Sequence, residues 1–377
     1  MQPLRVFLGF LAGFSLAILY CHHAYSRDPT SYFFNPDSSY TPVYSHQREE
    51  QALSFITQNS LPTTLPAVVV PPKLCIGILT VHRHGKQHFP AAIGSLLQGL
   101  TPTERAQIHL IAFFADPTPS QHESYDAPWI PTLIDQVLVR SNDSDLHEGG
   151  DYPHLLQNYR HLLQTCYDTN TSYVAIIEDD VIASSTWFQR TMQAVDHLDQ
   201  SWLYVRLFYS ETFLGWNSEE WGDYSVSIAK AMAVVLAVLL VVRKVMSLRR
   251  SGGAGVGVMS VWTIAVVMSV CMPLILVLYF LAGRLSMQPL PHGLVRMDNY
   301  GCCSQGLVYP HDKVPLVVHD LGMTGLLPDQ RVEVLADRTG LARWALVPSV
   351  LQHVGRVGSS GKPRKTWNFQ FEVEGGQ

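Results

Sequence analysis

Beyond residue 72 the chain alternates short apolar runs with stretches in which apolar residues recur at helical spacing. The runs at 74–81, 108–115, 136–139, 173–177 and 202–209 predict strands, and 90–98, 155–166 and 187–198 predict helices between them. Such a succession predicts an α/β fold, a mostly parallel sheet with helices on both faces. Val174, Ala175, Ile176 and Ile177 are continuously rather than alternately apolar, as in a central strand buried on both faces.

Three further stretches are apolar over membrane-spanning lengths. Residues 3–21 carry one Arg, and the Cys21, His22 and His23 that follow make a poor cleavage site, which favours an uncleaved signal anchor. Residues 225–242 form a second candidate span, with Lys230 near one end where it can snorkel, and 256–282, containing Pro273, a third. The expected organisation is an amino-terminal transmembrane anchor over 1–24 and a stem over 25–72 with a short helix at 49–57. A soluble α/β domain follows, its first part over 73–224 and its second over 283–377, divided by a transmembrane hairpin over 225–282. The carboxyl-terminal part is too small for a comparable domain of its own, so it is expected to complete the sheet. Within it "KVPLVVHDLGM" and "PDQRVEVLADRTG" read as helices, and "ARWALVPSVLQHVG" reads as a strand or extended turn.

Charged residues are 15% of the chain and the net charge is −5, which fits membrane segments and gives no basic excess for a nucleic-acid partner. Arg243, Lys244, Arg249 and Arg250 crowd the short loop between the second and third spans and mark it as cytosolic. That puts the amino terminus in the cytosol and both soluble parts across the membrane, where the sequons at Asn142 and Asn170 also fall. Cys75, Cys166, Cys302 and Cys303 then lie in an oxidising compartment and permit up to two bridges, whose pairing spacing does not reveal. A buried free thiol is an equally good account of Cys75.

Chemistry concentrates at the ends of the predicted strands. In "SYVAIIEDDVIAS" the buried strand runs into Glu178, Asp179 and Asp180, at the edge where open α/β sheets bind ligands. Adjacent carboxylates repel unless solvated, protonated or bridged, and a hard divalent cation is the natural bridge; the other reading is a solvated turn capping the next helix. "TVHRHGKQHFP" ends the first strand with His82, Arg83 and Lys86, able to face a nucleotide or simply solvent. Glu211 follows a strand among Phe208, Tyr209, Phe213 and Trp216, a setting for a general base or for a surface acid beside core aromatics. His353 is either structural or a ligand returned to the acidic strand end. No HExxH, GxxxxGK[ST] or GxSxG pattern occurs, which removes the best support for zinc-protease, P-loop and hydrolase readings.

The strand into "EDDV", the preceding helix "QNYRHLLQTCY" and the closing "PSVLQHVG" resemble glycosyltransferase-A enzymes, notably the N-glycan-branching N-acetylglucosaminyltransferases. With the anchor and hairpin added, the chain resembles the post-GPI-attachment-to-proteins factor four family of GPI-glycan N-acetylgalactosaminyltransferases. That resemblance implies a multi-pass Golgi membrane enzyme moving N-acetylgalactosamine from UDP-GalNAc to a mannose of the GPI glycan, with inversion. It implies Mn2+ or another divalent cation on Glu178, Asp179, Asp180 and His353. It also implies His82, Arg83, Asn158, Asp179 and Asp180 near the UDP-sugar, and Glu211 as base. A non-catalytic glycan or lipid receptor on the same fold is the alternative, and a transporter is poorly served by spans carrying a single Lys.

Overall fold

The structure, a computed structural model, describes residues 2–39, 41–59, 71–83, 85–140, 152–199, 201–251, 258–297, 303–323, 326–355 and 367–374. Asn142 and Cys302 lie outside them. The chain divides into two compact units, one formed by residues 1–40 and 212–289 and the other by 41–211 and 290–377.

The larger unit is built on ten strands: β1 (Leu74–Thr80), β2 (Ile108–Phe114), β3 (Gln136–Val139), β4 (Tyr173–Glu178), β5 (Val181–Ala183), β6 (Trp202–Arg206), β7 (Gly293–Arg296), β8 (Gly306–Pro310), β9 (Ala342–Val347) and β10 (Leu351–His353). Eight of them form one sheet in the order β3-β2-β1-β4-β8-β6-β9-β7, and β5 and β10 form a separate ribbon. Every neighbouring pair in the large sheet is parallel except those made by β8 and β7, so the sheet is mostly parallel. Strands from both ends of the sequence interleave in it.

The continuous apolar run of β4 has the consequence expected of a central strand. Ala175 and Ile177 join one buried cluster, with the helices Phe89–Leu97 and Trp187–Asp196, while Val174 and Ile176 join another, with the helices Tyr152–Asp168, Val314–Leu321 and Pro328–Thr339. Each fully buried Val or Ile side chain of this kind contributes about 1.5–3 kcal/mol. β1 is pinned to helix Tyr152–Asp168 by a disulfide between Cys75 and Cys166. Gly77 allows the same close approach, since a Cβ there would lie 2.6 Å from Leu162.

Helix Val43–Gln58 belongs to this unit and is longer than the short helix expected within the stem. Its buried face holds Tyr44, Ser45, Arg48, Ala52 and Ile56, too mixed in polarity to announce itself as an amphipathic stripe. It crosses helix Phe89–Leu97 where Gly94 lies against the Ala52 carbonyl with no room for a side chain.

The smaller unit contains three helices long and apolar enough to cross a membrane, Pro3–Ala24, Trp221–Arg249 and Val261–Leu281. The last includes one π-helical turn at Val267–Cys271, directly before the helix whose first turn holds Pro273, a residue with no N–H to donate. Just beyond these helices Asp28 accepts hydrogen bonds from the Thr30 amide at 2.7 Å and the Ser286 amide at 2.8 Å. Gly283, at φ +100°, passes so close that a Cβ would come 2.5 Å from the Asp28 carboxylate. Trp216 donates its indole N–H to the Phe280 carbonyl at 2.9 Å, and Arg284 pairs with Glu220 at 2.6 Å.

Candidate active site

The parallel register of β1 and β4 brings Leu79 level with Glu178, so the loop after Thr80 and the turn at Asp179 and Asp180 leave the sheet at the same edge. The β5 and β10 ribbon continues from that turn. Val181 pairs with His353, which sets the imidazole beside Asp180 with Nε2 and Oδ2 3.2 Å apart. Gly355 then passes so near the Asp180 carboxylate that a Cβ would collide with it. Glu178, Asp180 and His353 each offer one ligand atom, and these atoms all lie within 4.8 Å of one another. Two carboxylate oxygens and an imidazole nitrogen suit Mn2+ and comparable divalent ions, and a glycine-lined approach leaves the donors close together.

Asp179 makes its own set of contacts. Arg83 pairs with it, and the same guanidinium lies 3.3 Å from Asp180 Oδ2. Thr80 Oγ1 donates to Asp179 Oδ2 at 2.7 Å. Behind Thr80, 2.9 Å away, stands His122 Nε2, and the opposite ring nitrogen, Nδ1, accepts from the Ser124 amide at 3.2 Å. With Nδ1 an acceptor, the Nε2–H donates, so a directed series runs from Ser124 through His122 and Thr80 to Asp179. Burial pushes the Asp179 carboxyl above the ordinary aspartate range, against the pull of Arg83 and Thr80 toward ionisation. Burial also works to lower the Arg83 pKa, but Asp179 and Asp180 outweigh it and hold the guanidinium firmly charged.

Arg83, Asp179, Asp180, Glu178 and His353 are therefore brought together. His82, next to Arg83 in the chain, turns its backbone N–H to Asp116 and reaches both oxygens at 3.0 and 2.9 Å. Asn158 is half-buried on helix Tyr152–Asp168, and among the described residues no hydrogen bond or ion pair joins it to the acidic residues.

Glu211 has a different occupation. It is buried, and its two oxygens accept the amides of Phe369 at 2.7 Å and Gln370 at 3.0 Å, in the first turn of helix Phe369–Glu374. Gln352, the other half of the "QH" pair, clamps the same segment, donating to the Asn368 carbonyl at 2.8 Å and accepting the Asn368 amide at 3.1 Å.

Four contributors have no signature in sequence. Thr80 and His122 orient Asp179, and Ser304 and Gln305 donate to Glu178 at 2.7 and 3.3 Å. The last two become visible once β8 is paired with β4, because that register sets Ile177 opposite Gly306 and carries Gln305 to the level of Glu178.

A family model for the GPI-N-acetylgalactosamine transferase PGAP4 matches residues 74–352, from the first residue of β1 into β10. The chain belongs to that family. No curated protein matches the chain. Among solved structures, glucosyl-3-phosphoglycerate synthase from Mycobacterium tuberculosis, in complex with Mn2+, UDP and phosphoglyceric acid, is 12% identical with a TM-score of 0.25. That match covers 36% of this chain and 42% of the synthase. The mannosyltransferase PcManGT from Pyrobaculum calidifontis, in complex with GDP-Man and Mn2+, is 13% identical with a TM-score of 0.24, over 43% of this chain and 44% of its own. The chain thus spans less than half the length of either structure.

Burial lowers the His122 pKa, and that of His88, below the ordinary histidine value. Below about pH 6.5 the unfolded chain binds protons that the folded chain does not, so stability rises with pH in the window beneath that value and falls on acidification. The apparent melting temperature of the purified protein should drop between about pH 7 and pH 5.5. His122→Phe keeps an aromatic ring among Phe89 and Phe114 and should make that dependence shallower. Equal slopes for the two proteins would remove His122 from the account.

Proposed function

We propose that the chain is a metal-dependent glycosyltransferase of the Golgi membrane that moves N-acetylgalactosamine from UDP-GalNAc to a mannose of the GPI glycan. The observation that carries this reading is the convergence of Glu178, Asp180 and His353 at a sheet edge, the two carboxylates inside the region matched by the family model and His353 directly after it. These three residues would hold a divalent cation, which when bound supplies charge neutralisation for the diphosphate. Arg83, fixed by Asp179, adds a permanent positive charge beside the same carboxylates and is suited to a phosphate oxygen. An acceptor hydroxyl oxygen attacks the anomeric carbon, the bond from that carbon to the diphosphate oxygen breaks, and the configuration inverts. The hydroxyl proton passes to a carboxylate; Glu211 is held by the two amides it caps, and each of its oxygens keeps lone-pair capacity for that part.

The test is transfer by the purified full chain in detergent. UDP release and labelled product on a GPI acceptor should require Mn2+ and favour UDP-GalNAc within a panel of UDP-sugars. Binding of a GPI glycan with no UDP release from any donor would replace the enzyme by a receptor. The proposed topology has its own readout. Asn170 is exposed, in a left-handed turn that asparagine tolerates, before β4. Endoglycosidase treatment should increase gel mobility, and Asn170→Gln should remove part or all of that change. Protection of the Arg249 region only in the absence of detergent would reverse the orientation.

A further inference from the structure

We infer that Ser304 and Gln305 are positioning residues for the cation site, a bracket that turns the Glu178 carboxylate into a fixed ligand; the inference rests on the cation-dependent reading above. Glu178 is the one member of the triad that is not buried. A glutamate at a strand end has three side-chain torsions to lose, and ordering such a side chain costs conformational entropy. A ligand that must be ordered by the cation itself binds it more weakly for that reason.

The bracket removes the problem beforehand. Ser304 Oγ donates to Oε1 at 2.7 Å, Gln305 Nε2 donates to Oε2 at 3.3 Å, and the Glu178 amide donates to the Gln305 carbonyl at 3.2 Å. Each carboxylate oxygen thus has one direction occupied by a donor and keeps further lone-pair capacity for a cation. Donors of this kind orient a ligand and are sensitive points in metal affinity.

Gln305 shows that fold stability is a poor account of the arrangement. The residue is buried, its amide nitrogen faces Glu178, and its Oε1 is buried without a hydrogen-bond partner among the described residues. A buried amide satisfied on one side only costs free energy that an apolar residue of similar size would not. Gln305→Leu should therefore fold at least as well as the wild type while losing its hold on Glu178. Both bracket residues, like His353, come from the part of the sequence that follows the apolar hairpin, 126 and 127 residues from the carboxylate they orient.

The experiment titrates Mn2+ into the purified full chain in detergent with UDP present and follows free Mn2+ by electron paramagnetic resonance. Ser304→Ala and Gln305→Leu should each weaken Mn2+ binding by about 10- to 100-fold, the range typical of lost ligand-orienting bonds. Ser304→Thr, which keeps the hydroxyl, should restore most of it. In turnover the same variants should raise the Mn2+ concentration needed for half-maximal rate more than they lower the rate at saturation. Wild-type Mn2+ affinity in the variants would overturn the bracket, as would a loss of melting temperature with no loss of affinity. A wild-type protein that binds no Mn2+ would overturn the cation site itself and the bracket with it.

Discussion

Asp180→Asn is expected to abolish sugar transfer without unfolding the protein. Asp180 is buried, and its Oδ2 lies 3.2 Å from His353 Nε2 and 3.3 Å from Arg83, so one oxygen links both sides of the site. Asparagine keeps the shape and removes the charge. The loss falls on cation affinity and on the charge balance around the diphosphate together. Removal of one preorganised charge-stabilising group costs about 10²–10³ in rate, and Asp180 should reach at least that range. Asp179→Asn is the informative companion. Thr80 can still donate to the remaining carbonyl oxygen, and Arg83 keeps Asp180, so this variant should retain Mn2+ binding and lose affinity for UDP. Calorimetry with Mn2+ and UDP, alongside UDP release, separates the two. Unchanged activity in Asp180→Asn would return the strand end to a capped turn.

The contrast between neighbouring aspartates shows where sequence reading stops. The strand, the acidic turn and the later histidine were legible, because a continuous apolar run ending in charge has few physical solutions. Which aspartate stands beside His353 was not legible, since it depends on side-chain direction in a turn. Asp179 points to Thr80 and Arg83, Asp180 to the ribbon carrying His353. The Cys75 to Cys166 pairing was hidden for a similar reason: it requires knowing which face of β1 meets helix Tyr152–Asp168. β5 and β10, three residues each, are too short to show a period, yet their antiparallel register is what delivers His353.

Helix Val43–Gln58 extends the same lesson to the support of the site. Arg48 is buried and donates to the Ala183 carbonyl at 3.1 Å and the Ser95 carbonyl at 3.0 Å, while Ser95 Oγ accepts the Ala183 amide at 2.9 Å. Ala183 stands opposite Leu351 in the ribbon, so a segment read as stem braces the strand pair next to Asp180 and His353. The helix is held in turn by Glu372, which accepts the Tyr44 and Ser45 amides at 3.0 and 3.2 Å. Buried charge used in this way leaves no hydrophobic pattern to detect.

Glu211 stands at the start of that series, and its substitution is expected to cost stability rather than chemistry. Its carboxylate caps the helix that contains Glu372, which caps the helix that contains Arg48. Two hydrogen bonds to a charged group at a half-buried helix start are together worth about 2–4 kcal/mol, allowing for non-additivity. Glu211→Ala should lower the melting temperature, expose the carboxyl-terminal helix to protease and reduce the yield of folded protein. Glu211→Gln keeps the shape and one good acceptor and should fall between alanine and wild type. For both variants, turnover per folded molecule at low temperature should stay within about an order of magnitude of wild type, well short of the loss expected for a missing general base. The opposite outcome is equally distinct. A Glu211→Gln protein with wild-type melting temperature, wild-type Mn2+ and UDP affinity and turnover lowered about 10²- to 10⁴-fold would make Glu211 the base. It would also mean that the carboxylate takes the proton on the lone-pair capacity left beside the Phe369 and Gln370 amides.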